Sequence, residues 1–190
     1  MLIIKNKKTS ASTGFALAQS ALFVAFMVAA AQITIPIPYI PLTFQTVTAV
    51  LAGLLLGARW GGASVAVYVL MGLVGLPVYA GWSGGISYVV QLTFGYLLGF
   101  VLAAFVSGLL IGNSRCTIRR CVVASLCGVI ANYCVGILYF CILWTQYYHY
   151  SGLFNALLVY NLIYLPKDFI LCVMASALAA RIYSVVRKKS

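Results

Sequence analysis

The stretch LFNALLVYNLIYLPKDFILCVMASALAARIYSVV, Leu153 to Val186, is 34 residues long and almost wholly apolar apart from Lys167, Asp168 and Arg181. As one straight helix it would run to about 51 Å at about 1.5 Å per residue, against roughly 30 Å for the hydrocarbon core of a bilayer. It therefore has to break. Proline is favoured in the first turn of a helix and biases the residue before it away from helical geometry, so the break is expected at Pro166. Leu153 to Tyr164 then reads as an outer helix or re-entrant cap, and the last span starts near Pro166 with Asp168 in its first turn.

The rest of the chain is made of the same material. It is 64% hydrophobic and 7% charged, where a soluble domain carries roughly 25% charged residues. Apolar runs recur along the whole length, which predicts an all-α membrane protein with six transmembrane helices, near Phe15–Ala31, Thr43–Leu56, Ala63–Leu76, Thr93–Ile111, Cys121–Trp144 and Pro166–Val186. The net charge of +11 would suit a nucleic-acid partner if it were clustered on one surface. It stands instead at helix ends: Lys5, Lys7 and Lys8, then Arg59, then Arg115, Arg119 and Arg120, then Arg181, Arg187, Lys188 and Lys189, so that Lys167 is the one cation of twelve on the other side. That is the asymmetry of the positive-inside rule. It puts both termini in the cytoplasm and predicts a multi-pass protein of the cytoplasmic membrane, with the bilayer and not nucleic acid as its partner. The expected organisation is a single integral-membrane domain over 1–190, with a cytoplasmic tail at 1–12 and a six-helix substrate-binding domain at 13–187.

Several chemistries are excluded. ATP hydrolysis needs a phosphate-cradling loop of the form GxxxxGK[ST], and no lysine follows a glycine anywhere. Hydrolases of the membrane interior need several catalytic groups, whereas this chain has one histidine, His149, in an expected interfacial loop, and one acid, Asp168. The chain is expected not to be an enzyme and to need no metal or cofactor. The cysteines suggest no disulfide framework or CxxC site; five lie in apolar spans, and Cys127, Cys134 and Cys141, seven residues apart on one helix face, read as small packing residues.

Asp168 is left as the residue to explain. A carboxylate in a first helical turn is stabilised by free N–H groups and the helix dipole, which would make it a cap. Lys167 has no such reason to be there, and ionisable groups near a membrane interior are costly and mark functional sites. The pair reads as the polar centre of a ligand site at the outer mouth, the carboxylate accepting hydrogen bonds and the ammonium meeting an anion. Small residues at helical spacing, among them Ala21, Ala25 and Ala29, let helices approach closely, either within the bundle or against another membrane subunit.

Three motifs then point the same way. IPLTFQTVTAVLAGLLLG (Ile40 to Gly57), VYVLMGLVGLPVYAGWSGG (Val67 to Gly85) and LTFGYLLGF (Leu92 to Phe100) closely resemble the BioY family, the biotin-binding S components of energy-coupling-factor (ECF) transporters, over about Ala21 to Ala180. The resemblance implies the six-helix ECF S-component fold, with biotin held near the outer face under the loops after the first and third spans. It also implies a transmembrane coupling subunit and two ATPase subunits as partners, with Ala21, Ala25 and Ala29 as the docking face. Asp168, Lys167, Gln45, Gln91, Tyr88 and Tyr96 are the implied substrate contacts, and Asn132 is placed equally well to bond a helix or a ligand. Two departures from the family pattern stand out: Leu171 occupies the position of a usual lysine, which Lys167 would replace, and Phe94 stands for a usual glycine, which would narrow the pocket. The alternatives are an S component for another vitamin, or a stand-alone carrier coupled to protons through Asp168.

Overall fold

The computed structural model describes residues 10–35, 42–112, 117–162 and 164–188. The lysines of the expected tail, the outer loop at 36–41, Arg115, Cys116 and Lys189 lie outside the described residues. Helix α1 (Ser10–Gln32) is followed by a small antiparallel pair, β1 (Thr34–Ile35) and β2 (Leu42–Thr43), then α2 (Gln45–Leu73). Two 3-10 turns, Ala80–Trp82 and Ile86–Val90, lead into α3 (Phe94–Ile111) and α4 (Ile118–Ile142), which continues as a π turn over Leu143–Tyr147. α5 (Leu153–Leu162) and α6 (Tyr164–Lys188) complete the bundle.

Five described segments are long and apolar enough to cross a membrane: Thr13–Gln32, Gln45–Leu73, Phe94–Ile111, Ile118–Tyr147 and Leu153–Ser184. The expected second and third spans are merged in α2, and what separates them is not a loop but Gly57, with φ 81° and ψ 175°. That backbone region is open essentially to glycine alone. The consequence is a hairpin. Gln45 Nε2 donates to Tyr68 Oη at 2.6 Å, whereas 23 residues of straight helix would hold their backbones about 34 Å apart. Just past the turn the two arms touch through backbone, Gly61 facing the Ala52 carbonyl.

α3 packs between α2 and α4, α6 lies against α4 and α2, and α1 rests on α2. The Tyr183 hydroxyl on α6 donates to the Leu54 carbonyl at 2.9 Å, closing the end that also carries Arg59, Arg119, Arg120 and Arg181. Cys127, Cys134, Cys141 and Cys172 are free thiols; Cys172 is buried, Cys127 and Cys141 are half-buried and Cys134 is exposed. Cys121, buried near the start of α4, is disulfide-bonded, which departs from the expectation that the cysteines form no disulfide framework.

Candidate ligand pocket

At the end opposite the arginines, α2, α3, α4 and α6 splay around a pocket that encloses about 570 Å³ including its mouth. Its polar centre is Asp168, only 3% exposed. α6 begins at Tyr164, two residues before Pro166, because proline is tolerated throughout a first turn; Asp168 thus falls just beyond that turn. It does not cap its own helix. Its Oδ2 accepts from the Tyr133 hydroxyl of α4 at 2.8 Å and from Thr46 Oγ1 of α2 at 3.4 Å. Lys167 Nζ lies 2.8 Å from Oδ1 and donates to the Thr43 carbonyl at 2.6 Å. The adjacent pair does meet, but as a contact of charge: Oδ1 accepts no aligned hydrogen bond among the described residues.

Aromatic rings and two amides complete the walls. Tyr96 lies over Gly136 and stands edge-on to Tyr133 with centroids 6.1 Å apart. Tyr88 accepts from Thr93 Oγ1 at 3.2 Å and packs on Tyr79 at 4.6 Å. Gln45 lines the pocket and is braced by Tyr68, whose hydroxyl donates to the Val78 carbonyl at 3.2 Å. Asn132, fully buried in α4, also lines it, and its Oδ1 has no hydrogen-bond partner among the described residues.

The segment from Leu76 to Gln91 closes over this site as a cap, and surrounding side chains hold its backbone. Gln32 at the end of α1 clamps it with both ends of one amide, donating to the Tyr79 carbonyl at 3.0 Å and accepting from the Trp82 N–H at 3.2 Å. Tyr139 donates to the Val89 carbonyl at 2.6 Å and Tyr148 to the Val90 carbonyl at 3.1 Å. Tyr79 turns inward and donates to the Val69 carbonyl at 2.6 Å; burial, with Tyr88 beside it, pushes its phenol up to about 12.

Of the six residues expected to meet substrate, Asp168, Lys167, Gln45, Tyr88 and Tyr96 line the pocket together. Gln91 does not. After the second 3-10 turn the backbone goes extended at Gln91 (φ −78°, ψ 140°), and its side chain is exposed. Phe94 does not narrow the pocket either, because its ring packs on Tyr139 of α4 at 5.7 Å. Lys167 lines the pocket and Leu171 does not. Ala21, Ala25 and Ala29 lie exposed on one face of α1, and His149 is exposed in the turn after α4. Thr43, Thr46, Thr93 and Tyr133 are lining residues that sequence reasoning missed. Thr43 and Thr46 flank Gln45 in the first motif, and that proximity was their available signal.

Comparison with known proteins gives the arrangement its place. The chain is 39% identical to a probable biotin transporter BioY of Lysinibacillus sphaericus over 169 residues, 88% of this chain and 86% of that protein. It is 34% identical to a probable biotin transporter BioY of Pyrococcus horikoshii over 162 residues, 85% of this chain and 92% of the relative. Its fold matches the solved S-component for biotin from an ECF-type ABC transporter with a TM-score of 0.79 and 24% identity, covering 94% of this chain and 95% of that one. The BioY family model matches residues 5–188. On sequence over nearly its whole length, the chain belongs to the BioY family.

Proposed function

We propose that this chain is the biotin-binding membrane subunit of a vitamin importer, capturing biotin at the outer face of the cytoplasmic membrane. The observation that carries the reading is Asp168. A carboxylate this deeply buried is costly unless paired; here Lys167 supplies the counter-charge at 2.8 Å, and Oδ1 still accepts no aligned hydrogen bond among the described residues while the group faces a pocket of tyrosines. Biotin matches that surface: its ureido ring offers N–H donors to the carboxylate, its bicyclic core suits aromatic walls, and its tail is an anion for Lys167. Gln45, Tyr88 and Tyr96 supply the remaining polar edges and packing. Biotin is cargo here. The relatives are transporters and not enzymes, and the reading calls for no cofactor.

The membrane arrangement that fits is a single integral-membrane domain of six crossings, counting the two arms of α2 on either side of Gly57 separately. Arg59, Arg119, Arg120 and Arg181 stand at the end away from the pocket, which supports both termini on the cytoplasmic side. Energy then comes from partners: a transmembrane coupling subunit, which would dock on the exposed Ala21, Ala25 and Ala29 face of α1, and two ATPase subunits. The test is equilibrium binding of biotin to the detergent-purified chain alone, wild type against Asp168→Asn. Tight binding that the variant loses is the expected result. No binding by the wild type would sink the reading.

A further inference from the structure

Asn132 has a burden that the proposed contacts do not explain. It sits in the middle of α4, is only 1% exposed, and its side-chain oxygen has no hydrogen-bond partner among the described residues. Buried polar side chains in native folds almost always find a partner, and inside a helix bundle an asparagine ordinarily bonds a neighbouring helix. This one does not. Its Oδ1 packs against Gly99 of α3, where even a methyl group would collide with it, while the residue still lines the pocket. The wall around the amide is thus cut back to bare backbone.

Depth adds to the case. Gly136, one turn nearer the mouth on α4, receives the Tyr96 ring, so Asn132 and Gly99 lie about one turn below the Tyr96 ring and level with Tyr133. Leu97 and Phe100 supply the apolar lining there, and Lys167 is held at the outer rim by the Thr43 carbonyl of β2. A ligand with one hydrogen-bonding ring and one anionic tail fits this gradient with its ring reaching down to Asn132 and its tail towards the outer rim.

We infer that Asn132 is a specificity-determining contact at the pocket floor, its amide pairing with the ureido ring of biotin alongside Asp168. The inference rests on the biotin reading above. A urea presents a carbonyl acceptor flanked by N–H donors, and a primary amide carries both complements and turns to offer either one; a carboxylate serves only the N–H edge.

The experiment compares wild type, Asn132→Ala and Asn132→Leu as detergent-purified chains, with two readouts. One is equilibrium binding of biotin, of dethiobiotin (urea intact, sulfur gone) and of biotin acylated on a ureido nitrogen. The other is the thermal midpoint without ligand. Both variants are expected to bind biotin at least tenfold more weakly, to keep the wild-type ratio of biotin to dethiobiotin, and to discriminate less against the acylated analogue. The unliganded midpoint is expected to hold or rise, since each variant removes an unpaired buried amide. Unchanged biotin affinity in both variants overturns the inference. So does a fall of the unliganded midpoint in both, or failure of both to fold, which would make Asn132 a packing residue. If the wild type itself fails to bind biotin, it is the functional reading that falls.

Discussion

The bundle contains two buried polar layers, finished to different degrees. Away from the pocket, Ser107 donates to the Ala103 carbonyl at 2.7 Å, Ser125 to Cys121 at 2.6 Å and Ser176 to Cys172 at 2.7 Å, with the last two hydroxyl oxygens 2.7 Å apart across α4 and α6. Each hydroxyl is satisfied by its own helix one turn back. Around the pocket the polar groups come from α2, α4 and α6; Asp168 Oδ2 accepts from Tyr133 and Thr46, while Oδ1 of Asp168 and Oδ1 of Asn132 accept no aligned hydrogen bond among the described residues. Folding requires satisfied groups, and the first layer meets that requirement alone. The second keeps acceptor capacity for a ligand, at Asp168 Oδ1 beside the Lys167 ammonium and at Asn132 Oδ1. Stability and recognition are thus separated along the bundle axis, and substitutions in the two layers should separate as well.

The largest effect should come from Asp168→Asn. A hydrogen bond to a charged group is worth about 1.5–3 kcal/mol, so biotin affinity should fall by roughly 100-fold, measured by equilibrium dialysis, with little change in the unliganded thermal midpoint. A collapse of the midpoint would mean that the two layers are one. Gly57→Ala tests the converse. Its φ of 81° and ψ of 175° cost a residue with a Cβ about 1–3 kcal/mol, which should appear as a lower midpoint and a lower yield. The folded fraction should bind biotin as wild type does, because Gly57 lies at the end away from the pocket.

How much of this was legible in the sequence follows the same division. The apolar runs fixed the α1, α3 and α4 spans to within a few residues, since hydrocarbon thickness and end charges are strong constraints. The α2 hairpin was readable as two spans around Arg59, although not as a turn carried by one glycine. Asp168 and Lys167 stood out because ionisable groups are so rare in this chain. Tyr133 and Thr46 did not, since a tyrosine or threonine in a span is ordinary and only the crossing of α4, α2 and α6 gives them Asp168 as a partner. Gln91 was misread for a related reason: side-chain direction in a loop is set by backbone dihedrals that residue type does not reveal. The cap's attachment to Gln32 joins residues 47 apart in sequence and was equally out of reach.

The smallest effects offer the sharpest test, because two substitutions on one helix remove the same chemical group. Tyr133→Phe deletes the hydroxyl that donates to Asp168, and Ser125→Ala deletes the hydroxyl between α4 and α6. The positions are eight residues apart, about 12 Å along the axis. A neutral hydrogen bond contributes about 1 kcal/mol net, and one to a carboxylate somewhat more. Tyr133→Phe should therefore weaken biotin binding about fivefold to tenfold and, because the hydrogen bond is already made without ligand, lower stability by about 1 kcal/mol as well. Ser125→Ala should lower stability by about 1 kcal/mol or less and leave the dissociation constant alone, because Ser176 still donates to the Cys172 carbonyl. If Ser125→Ala weakened biotin binding as much as Tyr133→Phe, α4 would be transmitting strain from one layer to the other, and the separation would be one of position without being one of energy.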